Sequence, residues 1–148
     1  MSGVAFVANT GQISTGTSAK TLLQIIAASN HRVVIKEWSI AFEGTSNSAA
    51  PIQVDVLYQS GDGTLSALTL VKAKAGDDET LEVTAKHTST SEPTPGNVLF
   101  STFVHPQTGR DWQARFSDEY IIPGGSTLGF RVTAGADVDA IVHVYGEE

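Results

Sequence analysis

"DVDAIVHVYGEE" (137–148) alternates strictly. Val138, Ala140, Val142 and Val144 fall on one side, and Asp139, Ile141, His143 and Tyr145 on the other. A period of two is the signature of a half-buried β-strand, because successive side chains point to opposite faces of a sheet. The same period recurs upstream. In "PIQVDVLYQS" (51–60), Ile52, Val54, Val56 and Tyr58 oppose Gln53, Asp55, Leu57 and Gln59. In "STLGFRVTAG" (126–135), Leu128, Phe130 and Val132 oppose Thr127, Gly129, Arg131 and Thr133. These read as strands of an antiparallel sheet with one face in the core and one in water.

Further strands are expected at "VAFVAN" (4–9), "HRVVIKEWSIAFEG" (31–44), "LTLVKA" (68–73), "NVLFSTFVH" (97–105) and "EYII" (119–122). Gly, Pro, Asn and Asp punctuate the intervals, each suited to turns. "SAKTLLQIIAAS" (18–29) fits either a helical face or a strand buried on both sides. The polar run before it and "SNHR" after it favour the strand. Many short strands at this spacing predict an all-β, two-sheet antiparallel sandwich of jelly-roll-like form with little or no helix. The 148 residues suit one domain spanning 1–148, with residues 1–16 as an extended N-terminal arm.

Composition narrows function by exclusion. A formal net charge of −7 and nine scattered basic residues do not build a nucleic-acid groove. No stretch approaches the roughly 20 apolar residues of a membrane helix, and the N-terminus lacks a signal-peptide pattern. Without cysteine there is no disulfide framework and no thiolate metal site. The four histidines, His31, His87, His105 and His143, match no metal-ligand spacing. No cofactor is implied.

Motifs that could carry chemistry read instead as turns. "IIPGGSTLGF" (121–130) has the glycines of a phosphate loop, but a strand follows them where such a loop would open a helix. Pro123-Gly124-Gly125 therefore reads as a hairpin turn, and Gly129 within the strand as a bulge or a close neighbour. "GDGTLS" (61–66) lacks the third glycine of a dinucleotide fingerprint, so Asp62-Gly63 also reads as a hairpin turn. "GDDE" (76–79) lacks calcium-loop spacing. No nucleophile elbow or carboxylate pair stands out, so the chain reads as a non-enzyme with no catalytic residues. The Ser/Thr/Pro-rich "KHTSTSEPTPGN" (86–97) reads as a long irregular loop. Beyond it, Arg110, Trp112 and Arg115 are the residue types that anchor interfaces.

The strand-and-turn pattern of "AKTLLQIIAASNHRVVIKEWSIAFEGTS" (19–46), "PIQVDVLYQSGDGT" (51–64), "NVLFSTFVHPQTGRDW" (97–112) and "EYIIPGGSTLGFRVTA" (119–134) resembles the small jelly-roll virion proteins of tailed bacteriophages, of the capsid decoration or cement type. That resemblance implies a structural protein, made in the host cytoplasm, that binds the major capsid protein on the outer capsid surface and stabilises the shell. It also implies a homodimer or homotrimer, whose multivalent attachment exceeds single-site affinity. Val4 and Phe6 in the arm would pair with a partner by strand addition, and Arg110, Trp112 and Arg115 would contact it. Similar sandwiches serve as carbohydrate-binding modules or as receptor-binding parts of phage tails, for which Trp112 and Tyr120 would be the stacking platform.

Overall fold

The structure, a computed structural model, describes residues 3–44, 50–61 and 63–148. Thirteen strands form two antiparallel sheets packed face to face, with no helix among the described residues. In chain order they are β1 (Ala5–Asn9), β2 (Ile13–Ser14), β3 (Lys20–Ile26), β4 (Val33–Glu43), β5 (Ile52–Ser60), β6 (Thr64–Leu68) and β7 (Val71–Lys72). Then follow β8 (Thr84–Ser91), β9 (Thr94–Val104), β10 (Gly109–Gln113), β11 (Tyr120–Ile122), β12 (Thr127–Thr133) and β13 (Asp139–Glu147). One sheet runs β10-β4-β13-β1-β7, with β11 also on β4 and β2 on β13; the other runs β6-β8-β3-β12-β5-β9.

The pairing reveals a simple plan. β1 pairs with β13, β3 with β12, β4 with β10 and β11, and β5 with β9. The chain is thus one long antiparallel hairpin whose two arms zip from the termini inward. Folding that hairpin over closes β13 onto β4 and β12 onto β5. This is jelly-roll connectivity. The segment 61–93, carrying β6, β7 and β8, is inserted at the hairpin's tip, because Ser60 and Thr94 are ladder partners.

The alternation seen in the sequence selects the core. Val138, just before β13, and Ala140, Val142 and Val144 of β13 share the buried core with Leu128, Phe130 and Val132 of β12 and Ile52, Val54 and Val56 of β5. Trp38 sits at the centre, edge-on to Phe100 at 5.9 Å and to Phe130 at 5.8 Å. Such edge-to-face contacts suit the ring quadrupoles. The ambiguous segment 18–29 is a strand, with Leu22, Leu23 and Ile25 all in the core. A bulge between Phe130 and Arg131 shifts the register and lets two successive leucines point inward.

Several expectations need correction. Of the expected arm 1–16, the described residues 3–16 are not free: β1 is a ladder strand between β13 and β7, and Phe6 and Ala8 are fully buried. Phe6 has too much apolar surface to leave in water when the core can take it. Val4 is only half-exposed, and its backbone N–H and C=O are both spent on Glu148. The polar run 86–97 is not a loop but the end of β8 and the start of β9, since β3 and β6 supply a ladder on both sides of β8. β10, where no strand was expected, is a strand against β4.

The Pro123-Gly124-Gly125 segment is a turn but not a hairpin, because it carries the chain from β11 in one sheet to β12 in the other. Ser126 N–H donates to Pro123 C=O at 3.0 Å, and Gly125 has φ +79°, the type II geometry that glycine accepts without strain. A side chain on Gly124 would stand 2.7 Å from the Ser29 carbonyl oxygen. The expected Asp62-Gly63 hairpin falls on Asp62, which lies outside the described residues; the strands it would join, β5 and β6, are not neighbours.

The outer face of β5 also departs from expectation. Asp55, Leu57 and Gln59 are buried, though they lie outside the sandwich core. Gly129 lies between β3 and β5 on that face and presents no side chain, so Gln59 reaches across it. Gln24 Nε2 donates to Gln59 Oε1 at 2.8 Å, and Gln59 Nε2 donates to Thr21 Oγ1 at 2.8 Å. Thr21 Oγ1 in turn donates to Glu92 Oε1 at 2.8 Å. Of the two readings of Gly129, the close neighbour holds at the residue itself, and the bulge lies next to it between Phe130 and Arg131.

Candidate interaction surfaces

β9 and β10 lie opposite each other on one lateral edge of the sandwich. The Arg110 guanidinium of β10 stands 5.3 Å from the ring centroid of Phe100 on β9, and Tyr58 donates its hydroxyl to the Ile121 carbonyl at 2.7 Å. Most of the exposed large apolar side chains belong to elements along this edge, Val98 and Phe103 on the outer face of one sheet and Ile121 on the outer face of the other. Val98, Leu99 and Phe103 come from β9, Phe116 from the β10–β11 loop and Ile121 from β11, leaving only Val71 and Ile141 elsewhere among the described residues. Phe103 is 67% exposed and Val98 49%. Val98 opposes Leu57 and Phe103 opposes Gln53, so both point outward despite their odd separation. Register shifts near Val98 bring them to one side.

Phe116 is 97% exposed. It occupies a turn closed by the Asp118 N–H to the Arg115 carbonyl at 2.9 Å. Ser117 follows with φ +69°, a conformation that favours glycine. A residue held against its preference, next to an apolar ring left in water, makes this turn a candidate contact point.

The residues singled out from sequence separate here. Arg110 and Arg115 are exposed on this edge. Trp112 is half-buried, stacked on Tyr120 at 4.3 Å and near-parallel to Trp38 at 6.5 Å. Trp112 and Tyr120 therefore spend ring faces on each other, and burial raises the Tyr120 phenol pKa. Phe6 lies in the core, on a different strand from this edge. Phe103, Val98 and Phe116 were missed as contact candidates. An isolated Phe in polar "RFSDE" was the available signal for Phe116.

Titratable groups have structural partners. For Asp55, burial opposes ionisation, but hydrogen bonds from Ser101, Arg131 and Gln53 and the Arg131 charge outweigh it and hold the carboxyl below its usual range. Arg131 meets it at 3.1 Å. Asp137 is also lowered, by hydrogen bonds from the Ser14 hydroxyl and the Gly16 N–H. His31 pairs with Glu82 at 2.8 Å on the surface. Among the described residues no three His, Asp or Glu side chains are placed to hold a metal ion.

A separate concavity of about 820 Å³ opens on the outer face of the six-stranded sheet. Gln24 and Gln59 form part of its floor, Lys86 and Ser60 stand on its walls, and Ser126 and Thr127 bring in the turn before β12. Its residues come from four regions of the chain, so no local motif announces it.

Comparison with protein-family models, with curated proteins and with solved structures gave no match.

Proposed function

We propose that this chain is a non-enzymatic structural virion protein that attaches to the outer capsid surface through the β9–β10–β11 edge and stabilises the shell as a homo-oligomer. The observation that supports this reading is the concentration of exposed apolar side chains, with Arg110 and Arg115, on that edge. Apolar rings flanked by arginine match the composition of interface hot spots. A strand on the open edge of a sheet offers backbone donors and acceptors as well as side chains. The virion as the setting, and the major capsid protein as the partner, come from the sequence resemblance alone.

The test is co-sedimentation of the purified protein with empty shells assembled from the major capsid protein of the same virus, together with light scattering across a dilution series. Saturable binding and a raised temperature of shell disruption are expected. Absence of binding at micromolar protein would overturn the reading. The platform once assigned to Trp112 and Tyr120 loses support, because those rings stack on each other.

A further inference from the structure

We infer that the concavity on the outer face of the six-stranded sheet is a binding site for a neutral saccharide. This does not rest on the shell-binding role, which uses a different surface.

Three observations carry it. The first is size: about 820 Å³ lies within the roughly 300–1,000 Å³ of small-ligand sites. The second is preorganisation. Gln24 and Gln59 are only 5% and 6% exposed. Their amides are fixed by the relay to Thr21 and Glu92, which is fastened in turn by the Thr21 N–H to Glu92 Oε2 at 2.8 Å. The relay orients Gln24 so that its Nε2 serves Gln59 and its Oε1 has no partner among the described residues. An amide oxygen held in a fixed orientation at the cavity, where it meets solvent, can accept from a ligand donor.

The third is chemistry. Amides and hydroxyls both donate and accept, as sugar hydroxyls do. The side chains of Gln24, Gln59, Ser60, Ser126 and Thr127 supply that mixture, and the Lys86 ammonium adds a donor. A phosphate or polyanion would call for clustered Lys and Arg, and an apolar ligand for a predominantly apolar wall. Ile26 and Pro123 provide apolar surface for the carbon face of a ring.

The test is titration of the ¹⁵N-labelled protein with maltotriose, cellotriose, chitotriose and, as an anionic control, 3′-sialyllactose, read by amide chemical shifts. At least one neutral sugar is expected to shift Gln24, Ile26, Ser60, Ser126 and Thr127 saturably. Lys86→Ala and Thr127→Val each remove one polar group from the cavity wall and are expected to weaken binding about tenfold. Lys86 is exposed, so its variant keeps the test valid should Thr127→Val lower stability. No shift with any neutral sugar up to about 10 mM, a weak limit for specific binding, would overturn the inference. So would shifts with sialyllactose alone, shifts centred on Trp112 and Tyr120, or wild-type affinity in both variants.

Discussion

Replacing Gly129 by alanine adds one methyl group and is expected to dismantle the polar relay across the outer sheet face. The new Cβ would overlap Oε1 and Cδ of Gln59, so Gln59 must swing away. Two side-chain hydrogen bonds go with it, to Gln24 and to Thr21. At about 0.5–1.5 kcal/mol each, their loss costs about 1–3 kcal/mol. Alanine in a strand returns about 0.5–1 kcal/mol over glycine by reducing unfolded-state entropy. The net destabilisation is about 0–2.5 kcal/mol with a midpoint of about 1 kcal/mol, which lowers Tm by about 3–5 °C for a domain of this size. Chemical denaturation of Gly129→Ala, Gln59→Ala and the double variant measures this directly. In the Gln59→Ala background the added methyl meets no obstacle, so Gly129→Ala becomes neutral or stabilising and the cycle shows a coupling of at least about 1 kcal/mol. Additive effects would refute the account of why this strand carries glycine.

Other expectations follow from the same contacts. Val142→Asp places an unpaired carboxylate at a fully buried position of β13 and is expected to abolish folding, visible as loss of the cooperative thermal transition. Deleting residues 1–9 removes β1 with its buried Phe6 and Ala8 and is expected to unfold the chain, not merely to weaken assembly; circular dichroism distinguishes the two. Because the folded Asp55 carboxyl titrates below its ordinary value, its contribution is present above about pH 4 and is lost as pH falls through the folded value. Asp55→Asn is therefore expected to be less stable at pH 7 and to show a flatter decline in acid, checked by urea midpoints between pH 7 and pH 2. Phe103→Ser with Phe116→Ser removes exposed rings only, so stability is expected to change by less than about 0.5 kcal/mol per site while shell binding weakens at least tenfold.

By itself, the sequence determined the class of fold and the faces of several strands. Period-two alternation in 52–58, 127–133 and 138–145 is local information, and those inward faces are buried except at Tyr58, which is only half-buried. Tertiary structure decided what depends on neighbours. Polar 86–97 pairs as strand because β3 and β6 offer ladders on both sides of β8, and backbone hydrogen bonding to a neighbour outweighs weak local preference. Asp55 and Gln59 look like wet-face residues in a single strand, yet Arg131 and a side-chain-free Gly129 on the adjacent strand let them be buried with partners. A proline–glycine turn has the same local geometry whether it returns within a sheet or crosses to the other, so only the packing of β11 and β12 told them apart. The apolar edge and the amide-lined concavity likewise join residues far apart in the chain, and surfaces of that kind exist only once the long hairpin has folded over.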